Sequence, residues 1–537
     1  MSSASFQIRL TLYNLLAKGY LPKELPPPFS TVRFAQVATT EVLPPEFTRK
    51  KDSWRGFVEY NLARPGELRR KAAVLNPLPF YRLAATIVDN QDKLFSLTTP
   101  SYECLSVPCA QPFGSRAISW QSLQADLPRA RARSRVGKKF LVVTDIANFY
   151  PSIYTHSIDW AITGKQKAKK KIRGSNRLGA TIDKLVQAAH NGQTRGIPVG
   201  PDSSLLLSHI ILAKVDKLIK KRGIRYGFRL MDDYEFTFDS RREAEGAIAA
   251  IEESLRDYEL DLNSLKTQII ELPDNLDNSA IINLRSLQLR ESPGGQESDF
   301  IHLFNLAFSY AKKFPNKPIL RYVVGRIRNL ECELHHPDLL QRLILQCVVA
   351  EPNVWPHAVP VLNGLILHYQ VDKTEIETVI NKVILDHAPR GHSSEVANSL
   401  WAALVFEISI TKKSSSAVAK MSDDICSLLL LHLREGGLAS ISSVSEKSLL
   451  RMATLDELRS EHWLLAYEAL FQGWLNPGSG DYLASDPVFS FLKTQGVSFY
   501  DRNAVTEAQQ AAADEDQSLA GDPSGEDEED LEYTPWF

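Results

Sequence analysis

Residues Tyr226 to Phe238 read YGFRLMDDYEFTF. Two adjacent aspartates, Asp232 and Asp233, separate two apolar, β-leaning runs. Phe228 and Leu230 precede them, and Tyr234, Phe236 and Phe238 follow at period two. This alternation predicts a β-hairpin with the acid pair at its turn. Neighbouring carboxylates repel each other unless a positive group neutralises them, and a hard divalent cation such as Mg2+ does so through oxygen ligands. Taken alone, the pair is also what an ordinary turn contains, because Asp favours turns.

Working outward, a third carboxylate on another strand is expected, and FLVVTDIANFYPSIYTHSIDW supplies it. Phe140 to Thr144 is a β-branched and aromatic run, which places Asp145 at the exit of a buried strand. Acids on two adjacent strands can hold two metal ions, an arrangement that clamps the attacking and leaving oxygens of a phosphoryl transfer. Downstream, LDLNSLKTQIIEL sets Lys266 between two short strands. A lysine there is either an ordinary surface residue or a general acid beside a departing pyrophosphate.

Upstream of the Asp145 strand stand Arg129, Arg131, Arg133, Arg135, Lys138 and Lys139; after it come Lys165, Lys167, Lys169, Lys170, Lys171 and Arg173. Such runs are either solvated faces or contacts to a nucleic-acid backbone that weaken with salt. Arg69, Arg70 and Lys71 follow the turn signal Pro65-Gly66. The arginines suit bidentate phosphate contact. In GQTRGIPVGPDSSLLLSHIILAKVDKLI, Gly196, Pro198, Gly200 and Pro201 make a stiff loop, and glycine lets a backbone approach a nucleotide closely. Ser203 or Ser204 is expected to cap the helix that follows, with Leu206, Ile210, Ala213 and Lys217 on one face.

The bulk numbers set bounds. A chain of 537 residues with 44% hydrophobic content holds two or three globular domains. Five scattered cysteines make no disulfide framework, and Cys332, His335 and His336 lack the second ligand pair of a zinc finger. The sequence shows no run of transmembrane length, so the expectation is a cytoplasmic protein with no membrane contact. The net charge of −2 conceals an asymmetry: residues 1–502 carry 62 basic and 53 acidic side chains, and the last 35 residues carry eleven acids and no Lys or Arg. A basic body with an acidic tail suits a polyanion-binding enzyme.

Residues 1–60, with Pro22, Pro26, Pro27 and Pro28, are expected to form an extended, irregular strap docked on a surface. From 276 to 501 the pattern turns to amphipathic helices, such as HPDLLQRLILQCVV and TEIETVINKVIL, the latter with a Thr374/Glu377 capping box. They predict an α-solenoid without a strict repeat motif. The segment 502–537 is expected to be disordered.

These parts, in this order, resemble the fingers–palm core of reverse transcriptases. FLVVTDIANFYPSI is similar to the family's first palm motif, GIPVGPDSSLLLSHIIL to the second (Gly196, Pro198, Gly200 and Ser204 match), LMDDYEF to the acid-pair hairpin, and LNSLKT to the lysine motif. Tyr150, five residues after Asp145, stands where the family keeps an aromatic that excludes a ribose 2′-hydroxyl. More closely, SIYTHSIDWAITGK, GIPVGPDSS and GYLPKELPPPFST resemble the bacterial abortive-infection, or defence-associated, reverse transcriptases.

The resemblance implies an α+β chain: fingers and palm over 61–275, then an all-α, HEAT-like helical repeat domain over 276–501. It implies a bacterial RNA-directed DNA polymerase that makes DNA from dNTPs in antiphage defence, template-independent or primed from a protein hydroxyl, as a homo-oligomer with a DNA product and a non-coding RNA as nucleic-acid partners. Asp145, Asp232 and Asp233 become the ligands of Mg2+ or Mn2+, Lys266 a catalytic residue, and Arg69, Arg70, Tyr150 and Gly200 the nucleotide-binding residues. No priming residue is singled out among seventeen tyrosines; Tyr13, Tyr20 and Tyr60 lie near the N-terminal strap. Val199 and Leu205 depart from the family's usual glutamine and proline. Two rival readings are a catalytically silent palm that binds nucleic acid or a phage protein, and a retroelement or group II intron enzyme.

Overall fold

The computed structural model describes residues 9–49, 54–66, 68–120, 126–170, 177–330, 332–478 and 480–514. Among the described residues, nine strands form three sheets: β1 Phe57–Ala63, β2 Arg69–Leu75, β3 Glu103–Cys104, β4 Pro108–Ala110, β5 Ile118–Trp120, β6 Phe140–Asp145, β7 Gly227–Leu230, β8 Asp233–Phe238 and β9 Gln268–Glu271. The central sheet has the order β3-β7-β8-β6-β9 and is antiparallel except where β3 meets β7. Hairpins β1–β2 and β4–β5 stand apart from it.

β6 is apolar from Phe140 to Val143 because it is a central strand. Leu141, Val142 and Val143 are buried between β8 and β9, and the helix Arg241–Arg256 packs over all three strands. That helix begins with a Ser240/Glu243 capping box, which satisfies first-turn N–H groups from both sides. The long helix Asp202–Lys221 lies beside it, nearly every position of its first four turns buried. Its N-cap position is Pro201, with no side-chain cap, so neither Ser203 nor Ser204 caps it. Asp202, in its first turn, instead accepts from the Ala117 and Ile118 amides at 2.9 and 3.0 Å and pairs with Arg116.

The segment before residue 60 is not an irregular strap throughout. It contains the helices Leu12–Ala17, Val32–Thr40 and Pro45–Thr48, and Pro22, Pro26, Pro27 and Pro28 lie in the connection between the first two. This segment joins the two ends of the chain. Tyr20 stacks on Phe80 at 4.2 Å, and the Ser30 and Asp501 amides donate to Phe499 O and Pro28 O at 3.1 and 2.7 Å.

Beyond residue 276 every described element is helical. From Ile319–Arg328 to Trp463–Phe471, each α-helix packs on the next but one along the chain. Asp372, not Thr374, caps Lys373–His387: its carboxylate accepts from the Thr374 amide at 2.8 Å. One continuous apolar core runs from the N-terminal helices through the sheet into these helices. The helix Ala504–Asp514 docks on Trp355–Tyr369 and Ser393–Val405, held by Gln509 on Val405 O at 2.9 Å. The expected disorder therefore does not begin at 502; the acidic stretch after 514 lies outside the described residues. No helix among the described residues is long and apolar enough to cross a membrane.

Candidate active site

The turn between β7 and β8 carries Met231 and Asp232, and Met231 takes a left-handed conformation with φ 53°. Two contacts fix this costly geometry. Ser106 Oγ accepts the Met231 amide at 2.7 Å, and Arg229 Nη1 donates to Met231 O at 2.7 Å. Arg229 is itself clamped: its side chain is 1% exposed and forms an ion pair with Asp216, also 1% exposed, at 3.0 Å, while Tyr234 Oη donates to the same carboxylate at 3.1 Å. Sequence reasoning singled out neither Arg229 nor Asp216; the signal was an arginine inside an otherwise apolar strand, a residue rarely buried unless paired.

Asp145 of β6 lies directly across from Asp233 of β8 in the antiparallel register. The three expected acids thus meet at one corner, with the carboxyls of Asp232 and Asp145 within hydrogen-bonding reach. Lys266 joins them, donating from Nζ to Asp145 Oδ2 at 2.8 Å. Asn263, which sequence reasoning missed, donates its amide to Asp145 O at 2.8 Å and so sets the loop that carries Lys266.

Burial, then the Asp145 carboxylate, pushes the Asp232 pKa up to about 7. Asp233 is raised well above the ordinary range by burial and by Asp232 and Asp145, with Lys266 opposing. Asp233 Oδ1 is buried without a hydrogen-bond partner. A buried carboxylate oxygen left unpaired is costly, and Lys266 forms an ion pair with Asp145 alone of the three acids. Oxygen-only donors with unspent charge fit Mg2+ or Mn2+.

The β1–β2 hairpin brings cations to this corner, though not all those expected. Arg70 is exposed and close enough to Asp232 to lower its pKa. Arg69 is its neighbour on a pleated strand and therefore points to the opposite face. There it grips Glu395 of the helix Ser393–Val405 through both guanidinium nitrogens and donates from Nε to Asn61 Oδ1 at 2.9 Å. Arg69 thus links the hairpin to the helical region, on the face opposite Arg70. Arg64, at the hairpin tip, also lies in the field of Asp232, Asp145 and Asp233, as does Lys317 in that of Asp233. The tip is in contact with the turn that carries Lys317: a Cβ on Gly66 would come within 2.6 Å of Asn316 Oδ1.

Tyr150 is half-buried against Phe149, feels both Asp232 and Arg70, and is pushed up to about 12 chiefly by burial. Gly200 has φ +120°, and a Cβ there would meet Pro22 at 2.6 Å. The space its missing side chain leaves is filled by Pro22 of the N-terminal segment. Val199 is likewise engaged, its carbonyl accepting the Ala73 amide at 2.9 Å. Tyr20 and Tyr60 are fully buried and Tyr13 is half-buried.

The basic runs are mostly structural. Arg131 and Arg135 pair with buried Glu235 at 2.7 and 3.3 Å, Arg133 with Glu103, and Lys138 with Asp239. Lys165 and Lys169 lie over the Trp160 ring; Lys171 and Arg173 fall outside the described residues.

Residues 85–297 match the family model described as reverse transcriptase (RNA-dependent DNA polymerase). That span contains Asp145, Asp232, Asp233 and Lys266 and excludes the β1–β2 hairpin. No curated protein matches the chain. Among solved structures, apo telomerase from Candida tropicalis is similar over 72% of this chain and 70% of its own, with 12% identity and a TM-score of 0.31. The chain thus carries a reverse transcriptase domain, the enzymatic unit of an RNA-directed DNA polymerase.

Proposed function

We propose that this polymerase builds DNA from dNTPs by nucleotidyl transfer with two divalent ions, and that it serves antiphage defence, working without a template or from a protein hydroxyl primer as a homo-oligomer. One observation carries the chemical part: Asp145 and Asp233 face each other across β6 and β8, next to Asp232, with a buried Asp233 oxygen unpartnered. Asp145 and Asp232 are the ligands of choice, supported by Asp233. The ions, when bound, activate the priming hydroxyl and stabilise the charge that develops on the pyrophosphate.

The chain's own residues do the rest. Lys266, held on Asp145, is placed to give a proton or a positive charge to the departing pyrophosphate. Arg70 and Arg64 offer positive charge to the triphosphate. Tyr150 stands as the steric check on the ribose. The defence role rests on the likeness of GIPVGPDSS, SIYTHSIDWAITGK and GYLPKELPPPFST to defence-associated reverse transcriptases, and the next-but-one packing of the helices supports a HEAT-like array. Mg2+ and Mn2+ are the ions to test.

The deciding experiment measures dNTP incorporation by purified wild type and Asp232→Ala with Mg2+ or Mn2+, and sequences any nucleic acid that co-purifies. Incorporation by wild type alone is expected. Equal behaviour of the two proteins would overturn the chemistry, and intron-derived DNA would favour a retroelement enzyme. DNA still attached to protein after denaturation and protease digestion is the expected sign of protein priming.

A further inference from the structure

Away from the acid corner, three side chains with metal-ligand chemistry converge where the helical region meets the β1–β2 hairpin. His387 ends the helix Lys373–His387. A single 3-10 turn, Ala388–Arg390, and Gly391 in the left-handed conformation at φ 65° then reverse the chain. His392 and Glu395 stand at the start of the helix Ser393–Val405. The reversal sets His387 Nδ1 2.9 Å from His392 Nδ1, and Glu395 Oε1 lies 3.6 and 3.4 Å from these two nitrogens. Ligand atoms on a tetrahedron with bonds of about 2.0–2.1 Å stand roughly 3.4 Å apart. The triangle already has the size of one face of a zinc site.

Further features fit the same reading. Both histidine side chains keep an edge in solvent, at 18% and 22% exposure, which gives an ion a way in and a water a fourth position. The carboxylate is oriented as metal-ligating carboxylates are: Ser394 Oγ and Arg69 Nη2 donate to Glu395 Oε2 at 2.8 and 3.0 Å. Arg69 Nη1 also reaches Oε1, which has a second lone pair to offer. The guanidinium charge beside a dication lowers the affinity expected of the site. Two imidazoles sharing one proton would account for the 2.9 Å contact alone, but that pair has no need of a carboxylate oxygen at the third vertex.

We propose that His387, His392 and Glu395 bind one divalent ion of the zinc class, separate from the catalytic acids. The test uses Co2+ as a spectroscopic probe on the full chain. Wild type and Asp232→Asn should each show the visible absorption of four-coordinate cobalt, saturating at one equivalent and displaced by Zn2+. His387→Gln and His392→Gln, checked for folding by circular dichroism, should bind at least tenfold more weakly. X-ray absorption of the zinc-loaded wild type gives a reading that needs no variant, with two imidazoles expected around the ion. No four-coordinate band in wild type, a band unchanged in both folded histidine variants, or an ion without imidazole ligands would each overturn the proposal.

Discussion

Asp145 of β6 and Asp233 of β8 occupy the same rung of an antiparallel pair, and both side chains are buried, at 6% and 7% exposure. Lys266 compensates the first, while Oδ1 of the second has no partner. The corner is therefore costly to the metal-free fold, as a proposed active site is expected to be. Asp233→Asn should lower dNTP incorporation by roughly a hundredfold or more, since removing a catalytic electrostatic contact costs about 3–4 kcal/mol. The same change should raise the melting temperature of the metal-free protein, by about 1 °C for each kcal/mol of relieved repulsion in a chain of this length. Thermal melts in EDTA beside activity assays check both halves.

The raised Asp232 pKa gives a pH dependence with a definite sign. Its folded value, about 7, lies above the ordinary carboxylate value. Between the two values the folded, metal-free chain holds a proton that the unfolded chain has released, so stability falls as pH rises through about 7. Asp233 shifts in the same direction and adds to the effect. A divalent ion replaces that proton. The gain in melting temperature on adding Mg2+ should be larger at pH 8 than at pH 6; a gain that shrinks with pH contradicts the assignment.

The Arg229–Asp216 pair beneath the turn should behave as a buried ion pair does. Asp216→Asn leaves a buried guanidinium short of its charge partner and is expected to cost about 3–5 kcal/mol. The double change Arg229→Met with Asp216→Leu should recover much of that loss. It should not recover activity, because the Met231 carbonyl then loses the donor that holds the Asp232 turn. Denaturant melts and incorporation rates on the two variants separate these effects.

Arg69 and Arg70 should separate cleanly. Arg70→Ala is expected to raise the KM for dNTP tenfold or more with little change in melting temperature. Arg69→Ala strands Glu395, whose side chain is 3% exposed, and should cost about 3 kcal/mol of stability. Steady-state kinetics and thermal melts on the two variants check the contrast, and the reverse assignment of effects contradicts it.

Tyr150→Val tests sugar selection. With the ring removed beside Asp232 and Arg70, rNTP incorporation relative to dNTP should rise tenfold or more, measured with both nucleotides in competition. An unchanged ratio removes Tyr150 from that role.

The acid corner was legible in the sequence because its parts are local. Period-two alternation around Asp232-Asp233 and the apolar run before Asp145 each specify a strand and its exit, and a strand pattern survives without knowledge of its neighbours. The helices from 298 onward were legible for the same reason. The capping residues were less so, since Asp372 and Pro201 displaced the expected Thr374 and the Ser203 or Ser204 by two or three positions, where several residues compete for one geometry.

What the sequence by itself determined was which three carboxylates, and which lysine, come together at the edge of the central sheet. Only the tertiary structure decided which cations face them. Adjacent arginines on a pleated strand must part to opposite sides, so Arg70 turns to the acids and Arg69 to Glu395, and nothing in the string Arg69-Arg70-Lys71 says which way the strand is laid. Gly200 likewise reads as room for a nucleotide until the chain brings Pro22, from 178 residues away, into that room. Long-range packing sets these outcomes, and it is written in contacts between segments and not in the spacing within any one of them.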